Sequence, residues 1–123
     1  MTMKVLVAED DQLNRELIRR MLRRLSWDVH AVADGAAALE ACAATDYDVV
    51  LIDYEMPQMN GVEAATRLRK LDQARARHTL LIIVTGSDPE PLQRTGLFDG
   101  IILKPFVLEE LLSGIQSVLA RQP

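Results

Sequence analysis

Two periodicities alternate along the chain. Short apolar or β-branched runs fall at Val5–Ala8, Val29–Val32, Val49–Ile52, Leu80–Val84 and Ile101–Leu103. The runs at Val49, Leu80 and Ile101 are apolar without interruption, the pattern of strands covered on both faces. Between the runs the spacing becomes helical. From Gln12 to Leu25, the residues Leu13, Leu17, Ile18, Met21, Leu22 and Leu25 share one face. Further helices are predicted over Gly35–Ala44, Val62–Leu71, Pro89–Arg94 and Val107–Ala120. The fourth is shortened: Pro89 and Pro91 suit a first turn, and Gly96 stops the helix within two turns. Five strand–helix units predict an α/β fold, a doubly wound three-layer sandwich around a five-stranded parallel sheet. No repeat or linker interrupts the pattern, so residues 1–123 read as a single domain.

Composition narrows the function classes. Hydrophobic residues make up 49% of the chain, enough for a core and an argument against disorder. Fourteen Lys and Arg against eighteen Asp and Glu give a net charge of -4, which argues against general nucleic-acid binding. Cys42 is the one cysteine, which rules out an intrachain disulfide and a cysteine-rich zinc site. No apolar run reaches the ~20 residues of a membrane span. The N-terminus enters Lys4-Val5-Leu6-Val7 without a leader pattern, so a cytoplasmic domain without membrane contact is expected. His30 and His78 are isolated and read as structural or solvated. Trp27 opens the second strand and reads as packing, and Cys42 reads as a small packed residue within a helix.

The chemistry lies where strands end, because doubly wound sheets bind ligands outside the carboxyl ends of their strands. Glu9, Asp10 and Asp11 follow strand 1. Strand 3 ends in Asp53, strand 4 in Thr85, then Gly86 and Ser87, and strand 5 in Lys104 before Pro105. Strand 2 ends in Val32-Ala33-Asp34-Gly35, a turn and helix start that suits the sheet edge. Clustered carboxylates raise one another's pKa unless a cation neutralises them. Hard oxygen donors suit Mg²⁺ or Mn²⁺. A metal, a Lys and a Thr beside a carboxylate are equipped for phosphoryl transfer. Asp53, alone at the end of a central apolar strand, is the candidate nucleophile, and Glu9 and Asp10 are the candidate metal grip. The turn Met56-Pro57-Gln58-Met59-Asn60-Gly61 would hold the adjoining backbone rigid, so that the Glu55 main-chain carbonyl can join the metal ligands. Gly86 leaves room for a phosphoryl group.

The segments Val7-Ala8-Glu9-Asp10, Val50-Leu51-Ile52-Asp53, Met56-Pro57, Asn60-Gly61, Val84-Thr85-Gly86 and Leu103-Lys104-Pro105-Phe106 resemble those of response regulator receiver domains of two-component phosphorelays. The resemblance spans about residues 3 to 120. It implies a flavodoxin-like fold with strand order 2-1-3-4-5. It also implies Glu9 and Asp10 as the acidic metal pair, Asp53 as phosphoacceptor, Thr85 as switch hydroxyl and Lys104 as the cation pairing with the phosphoryl group. The Lys104-Pro105 bond is similar to one that is usually cis in this family. The stretch Glu9-Asp10-Asp11-Gln12-Leu13-Asn14-Arg15 resembles receivers of hybrid histidine kinases, which implies a piece of such a kinase or a stand-alone relay protein. The partner implied is a histidine kinase or histidine phosphotransfer domain. It is expected to dock on helix 1, steered by Arg15, Arg19, Arg20, Arg23 and Arg24. The domain would catalyse its own aspartyl phosphorylation and dephosphorylation without being a turnover enzyme.

Some positions depart from the family. Ile101 stands where an aromatic residue is usual, so the aromatic switch coupled to Thr85 is absent or replaced. Nineteen positions separate Thr85 and Lys104, a few fewer than usual. Glu55 adds a carboxylate near the site and is expected either to tune phosphoryl lifetime or to be a solvated loop acid. The alternative function is a receiver-like scaffold that is never phosphorylated. A flavin module on the same fold would need a Ser/Thr/Gly phosphate loop where Glu9, Asp10 and Asp11 stand.

Overall fold

The computed structural model describes residues 2–122. Strands and helices alternate: β1 (Lys4–Ala8), α1 (Gln12–Arg23), β2 (Asp28–Val32), α2 (Gly35–Ala44), β3 (Val49–Asp53), α3 (Gly61–Ala74), β4 (Leu80–Thr85), α4 (Glu90–Arg94), β5 (Gly100–Leu103) and α5 (Leu108–Ala120). The strands form one parallel sheet in the order β2-β1-β3-β4-β5. Every neighbouring pair is parallel, with Val5 opposite Val49 and Asp53 opposite Val84. The doubly wound, flavodoxin-like topology expected from the sequence is therefore present.

Successive strand residues point to opposite faces of the sheet, and here both faces are covered. Val5, Val7, Val49, Leu51, Ile82 and Val84 pack against Ile18 and Leu22 of α1 and Leu111 and Ile115 of α5. Leu6, Val50, Ile52, Leu81 and Ile83 face the other way, toward Ala38, Ala64, Leu68 and Leu92 of α2, α3 and α4. That is why the inner strands are continuously apolar. Each large side chain buried this way contributes about 1.5–3 kcal/mol. The edge strand β2 keeps polar Asp28 and His30. His30 Nδ1 lies 2.7 Å from the Tyr47 hydroxyl, and His78 Nε2 lies 2.9 Å from Asp99 Oδ1. Both histidines thus have protein partners, as expected. Cys42 is buried, and burial pushes its thiol up to about 11.

Several boundaries differ from the sequence reading, most by one residue. Trp27 precedes β2 instead of opening it, because strand pairing begins with Lys4 opposite Asp28; its side chain still packs on the core. The first helix stops at Arg23 although Leu25 continues the apolar face, since Ser26 turns left-handed at φ 63°. The third helix starts at Gly61 and runs on to Ala74, beyond the last apolar position. Its extra turn is held by Asp72, whose carboxylate accepts the Thr79 N–H and hydroxyl, each at 2.8 Å. Helix α4 has only five residues, and Gly96 at φ 69° follows its end. Among the described residues, no helix is long and apolar enough to cross a membrane.

Candidate functional site

The carboxyl ends of β1, β3, β4 and β5 meet at one rim. Glu9 and Asp10 leave β1, with Glu9 5% exposed and Asp10 open to solvent. Asp53 closes β3 and is 4% exposed; Thr85 closes β4 and is fully buried. Glu9, Asp10 and Asp53 each offer a carboxylate oxygen within 4.8 Å of the others. Lys104, just past β5, donates to Asp53 Oδ2 at 2.9 Å and stands 4.0 Å from Glu9 Oε1. All five residues singled out in the sequence therefore line the same rim. The Lys104-Pro105 bond is cis.

Local structure explains these placements. Helix α1 begins at once after the acids because Asp11 caps it, accepting the Asn14 N–H at 3.2 Å. Asp34 caps α2 in the same way, so the end of β2 supplies a helix start and no site residue. Behind Asp53 the chain turns back sharply. Gln58 adopts φ 69°, Asn60 caps α3, and the Gly61 N–H donates to the Tyr54 carbonyl at 3.0 Å. A Cβ on Gly61 would lie 2.9 Å from the Asp53 carbonyl oxygen, so this close approach requires glycine. Thr85 Oγ1 accepts the Ser87 N–H at 3.0 Å, which leaves its own proton free to donate. A Cβ on Gly86 would meet only Lys104 Cβ, at 3.9 Å, so the space beside Thr85 is open. Glu55 is exposed, and its N–H faces Asp53 Oδ1 at 3.4 Å. Ile101 is half-buried against the α3 and α4 side of the core, and aliphatic packing occupies that position.

The electrostatics favour a cation. Burial raises the Glu9 carboxyl, the Asp11 N–H lowers it, and Asp10 and Asp53 raise it again, to about 7. Burial works against the Lys104 ammonium, yet Asp53, Glu9 and Glu55 outweigh it and raise its pKa. One ammonium does not neutralise three carboxylates, and the open oxygens form a hard donor set of the kind Mg²⁺ takes.

The sequence pattern makes Arg15 one of five surface cations on helix 1. Instead its Nη1 donates to the Glu9 carbonyl at 2.9 Å, with the Asp10 carbonyl at 3.4 Å. A usable signal was present: helical side chains lean toward the N-terminus, so an arginine four residues after the cap reaches back to the loop before it. Arg19 and Arg20 share the single carboxylate of Glu16, while Arg23 and Arg24 are exposed, so α1 keeps a net positive outer face. The outer face also shows Leu13 and Leu17, 68% and 51% exposed. Leu17 borders a groove of about 710 Å³ between α1 and the β5–α5 connection, lined also by Met21, Phe106 and Leu108 and reaching Glu9 and Lys104.

Comparison with known proteins agrees with this geometry. The response regulator ArlR of Staphylococcus saprophyticus is 34% identical over 123 residues, covering 98% of this chain and 54% of that protein. The transcriptional regulatory protein CutR of Streptomyces coelicolor is also 34% identical, covering 94% of this chain and 53% of its own length. The chain thus spans about half the length of the curated relatives it matches. Chemotaxis response regulator CheY4 of Vibrio cholerae superposes with a TM-score of 0.87 at 30% identity, covering 96% of this chain and 99% of that one. The receiver domain of the sensor histidine kinase PA1611 of Pseudomonas aeruginosa, solved with a magnesium ion in its active-site cleft, gives 0.84 at 26% identity, covering 98% and 99%. Residues 5–116 match the response regulator receiver domain family, and the chain belongs to it.

Proposed function

We propose that Asp53 accepts a phosphoryl group from a phosphohistidine on a partner protein and that Mg²⁺ is required. The observation that carries this is the Asp53 carboxylate at the end of the central strand, with Lys104 at 2.9 Å and Glu9 and Asp10 beside it. Glu9, Asp10 and Asp53, with the Glu55 main-chain carbonyl, would hold the ion. Once bound, it offsets the negative charge of the transferring oxygens. A carboxylate oxygen of Asp53 attacks phosphorus in line, an O–P bond forms, and the P–N bond to the donor imidazole breaks. Lys104 stays near enough to pair with a phosphoryl oxygen. The Thr85 hydroxyl donates its free proton to another, which pulls the end of β4. The product carries about -1.5 to -2 charges, and this local charge biases the position of β4 and α4.

The donor is a histidine kinase or histidine phosphotransfer domain, docked along α1. The exposed Leu13 and Leu17 and the apolar groove beside Lys104 suit a helical partner with an apolar face, and the exposed Arg23 and Arg24 suit acidic groups beside it.

Intact mass after incubation with a small phosphoryl donor tests the central claim. A single phosphoryl adduct that needs Mg²⁺, disappears with EDTA and is missing in Asp53→Asn is expected. A folded, Mg²⁺-binding protein that gains no adduct from either a small donor or a phosphorylated histidine partner would point to a contact scaffold instead.

A further inference from the structure

We infer that Arg15 is a positioning residue that sets the acidic pair for Mg²⁺; the inference rests on the metal-dependent reading above. Three consecutive main-chain carbonyls of the acidic loop are all taken by this one residue. Its guanidinium Nη1 holds Glu9 O at 2.9 Å and reaches Asp10 O at 3.4 Å, while its backbone N–H holds Asp11 O at 2.9 Å. Fixing the carbonyls on both sides of the Asp10 Cα fixes the two peptide planes that flank it. Those planes set the direction of its Cα–Cβ bond. Asp10 needs that support most. Asp53 is buried and tied to Lys104, and Glu9 is buried and accepts the Asp11 N–H at 3.1 Å. The Asp10 side chain is exposed, so packing does not orient it. The first turn of α1 thus acts as a brace under the metal grip, with Arg15 as its contact point.

The sign of the effect separates bracing from charge. Arg15 is a cation near a cation site, so by Coulomb's law alone its removal would tighten Mg²⁺ binding. If it positions Asp10, its removal loosens binding. Support residues of this kind change metal affinity by about 10- to 100-fold. Arg15→Met keeps the aliphatic stem and removes the donors. Arg15→Lys keeps one short donor group. Arg20→Ala removes an equal charge from the same helix without touching the loop, since Arg20 contacts Glu16.

The experiment is Mg²⁺ titration of the intact protein by calorimetry, with circular dichroism and thermal midpoints recorded for each variant. The expected result is a loss of about tenfold or more for Arg15→Met, partial recovery in Arg15→Lys, and a change within about twofold for Arg20→Ala. Equal or tighter binding by a folded Arg15→Met protein overturns the inference, as does an equal loss in all three variants. Should Arg15→Met fail to fold, full wild-type affinity in Arg15→Lys with no change at the Asp10 and Asp11 amides by NMR overturns it; a loss there sustains it. A wild type that takes up no Mg²⁺ instead overturns the metal-dependent reading itself, and the inference falls with it.

Discussion

Arg69 offers the sharpest test of how the fold is held at the end of the sheet away from Asp53. Its guanidinium joins three segments. Nε and Nη2 donate to the Leu97 carbonyl at 3.0 and 2.6 Å, and Nη1 donates to the Thr79 carbonyl at 2.7 Å. It also pairs with Asp72 at 3.2 Å and Asp99 at 3.0 Å, with all three side chains mostly buried. Asp99 in turn accepts the Leu81 N–H at 2.9 Å, which ties the segment before β5 to the start of β4. Replacing Arg69 with Met keeps the stem but takes the guanidinium from two mostly buried carboxylates and the donor from two carbonyls. Removing one partner of a buried pair costs about 3–5 kcal/mol. For 123 residues the unfolding entropy is about 0.26 kcal/mol/K. The midpoint should therefore fall by about 12–19 °C, as read by calorimetry or circular dichroism. Because the network lies opposite the acidic rim, Mg²⁺ affinity at low temperature should stay at the wild-type value. A midpoint shift below about 4 °C, equivalent to about 1 kcal/mol, would refute the reasoning, because solvent would then be replacing every lost bond.

Other outcomes follow from the same geometry. Burial works to raise the Asp99 carboxyl, but His78, the Leu81 N–H and Arg69 outweigh it and hold it below its ordinary 3.8. A lowered acid contributes stability above its unfolded value and loses it as the pH falls through the folded one. The difference in thermal midpoint between wild type and Asp99→Asn should therefore narrow below pH 3.8, and a gap that is constant from pH 7 to pH 3 would count against this. Gly61→Ala forces a Cβ against the Asp53 carbonyl and should cost about 1–3 kcal/mol in urea unfolding, together with slower phosphoryl acceptance; wild-type values for both would show that the turn yields easily. Leu17→Asp should slow transfer from a phosphorylated histidine partner while leaving the small-donor reaction intact, and equal slowing of both would remove α1 as the docking face. Glu55→Ala should change the first-order loss of the phosphoryl group from Asp53; an unchanged decay would make Glu55 a solvated loop acid.

The sequence made most of the fold legible because this topology leaves a local trace. Inner strands buried on both faces must be apolar throughout, and the helices between them show their 3.6-residue period. What it hid were polar groups serving distant backbone. The third helix reads as ending at Leu71, since nothing nearby in the chain says that Thr79 will satisfy the Asp72 carboxylate. Leu25 read as helix because it still packs on the core after the backbone has turned at Ser26. The five rim residues were legible because strand ends converge in any doubly wound sheet. The roles of Arg15, Arg19 and Arg20 were not: charge is visible in a sequence, but its pairing with Glu16 or its use on a main-chain carbonyl is not.

The rim is built from four segments far apart in the chain, each delivered by a different strand, and this ties the chemistry to the folding of the whole sheet. Glu9, Asp53, Thr85 and Lys104 meet only when β1, β3, β4 and β5 are paired in register. A slip of one residue in any strand would turn its side chains to the opposite face. Such non-local pairings form late and together. A nascent chain therefore cannot form the Asp53–Lys104 contact until Lys104 has been synthesised and β5 has docked. The phosphoryl acceptance proposed for Asp53 would in that sense report on the fold, since the residues it needs come together only in a completed central sheet.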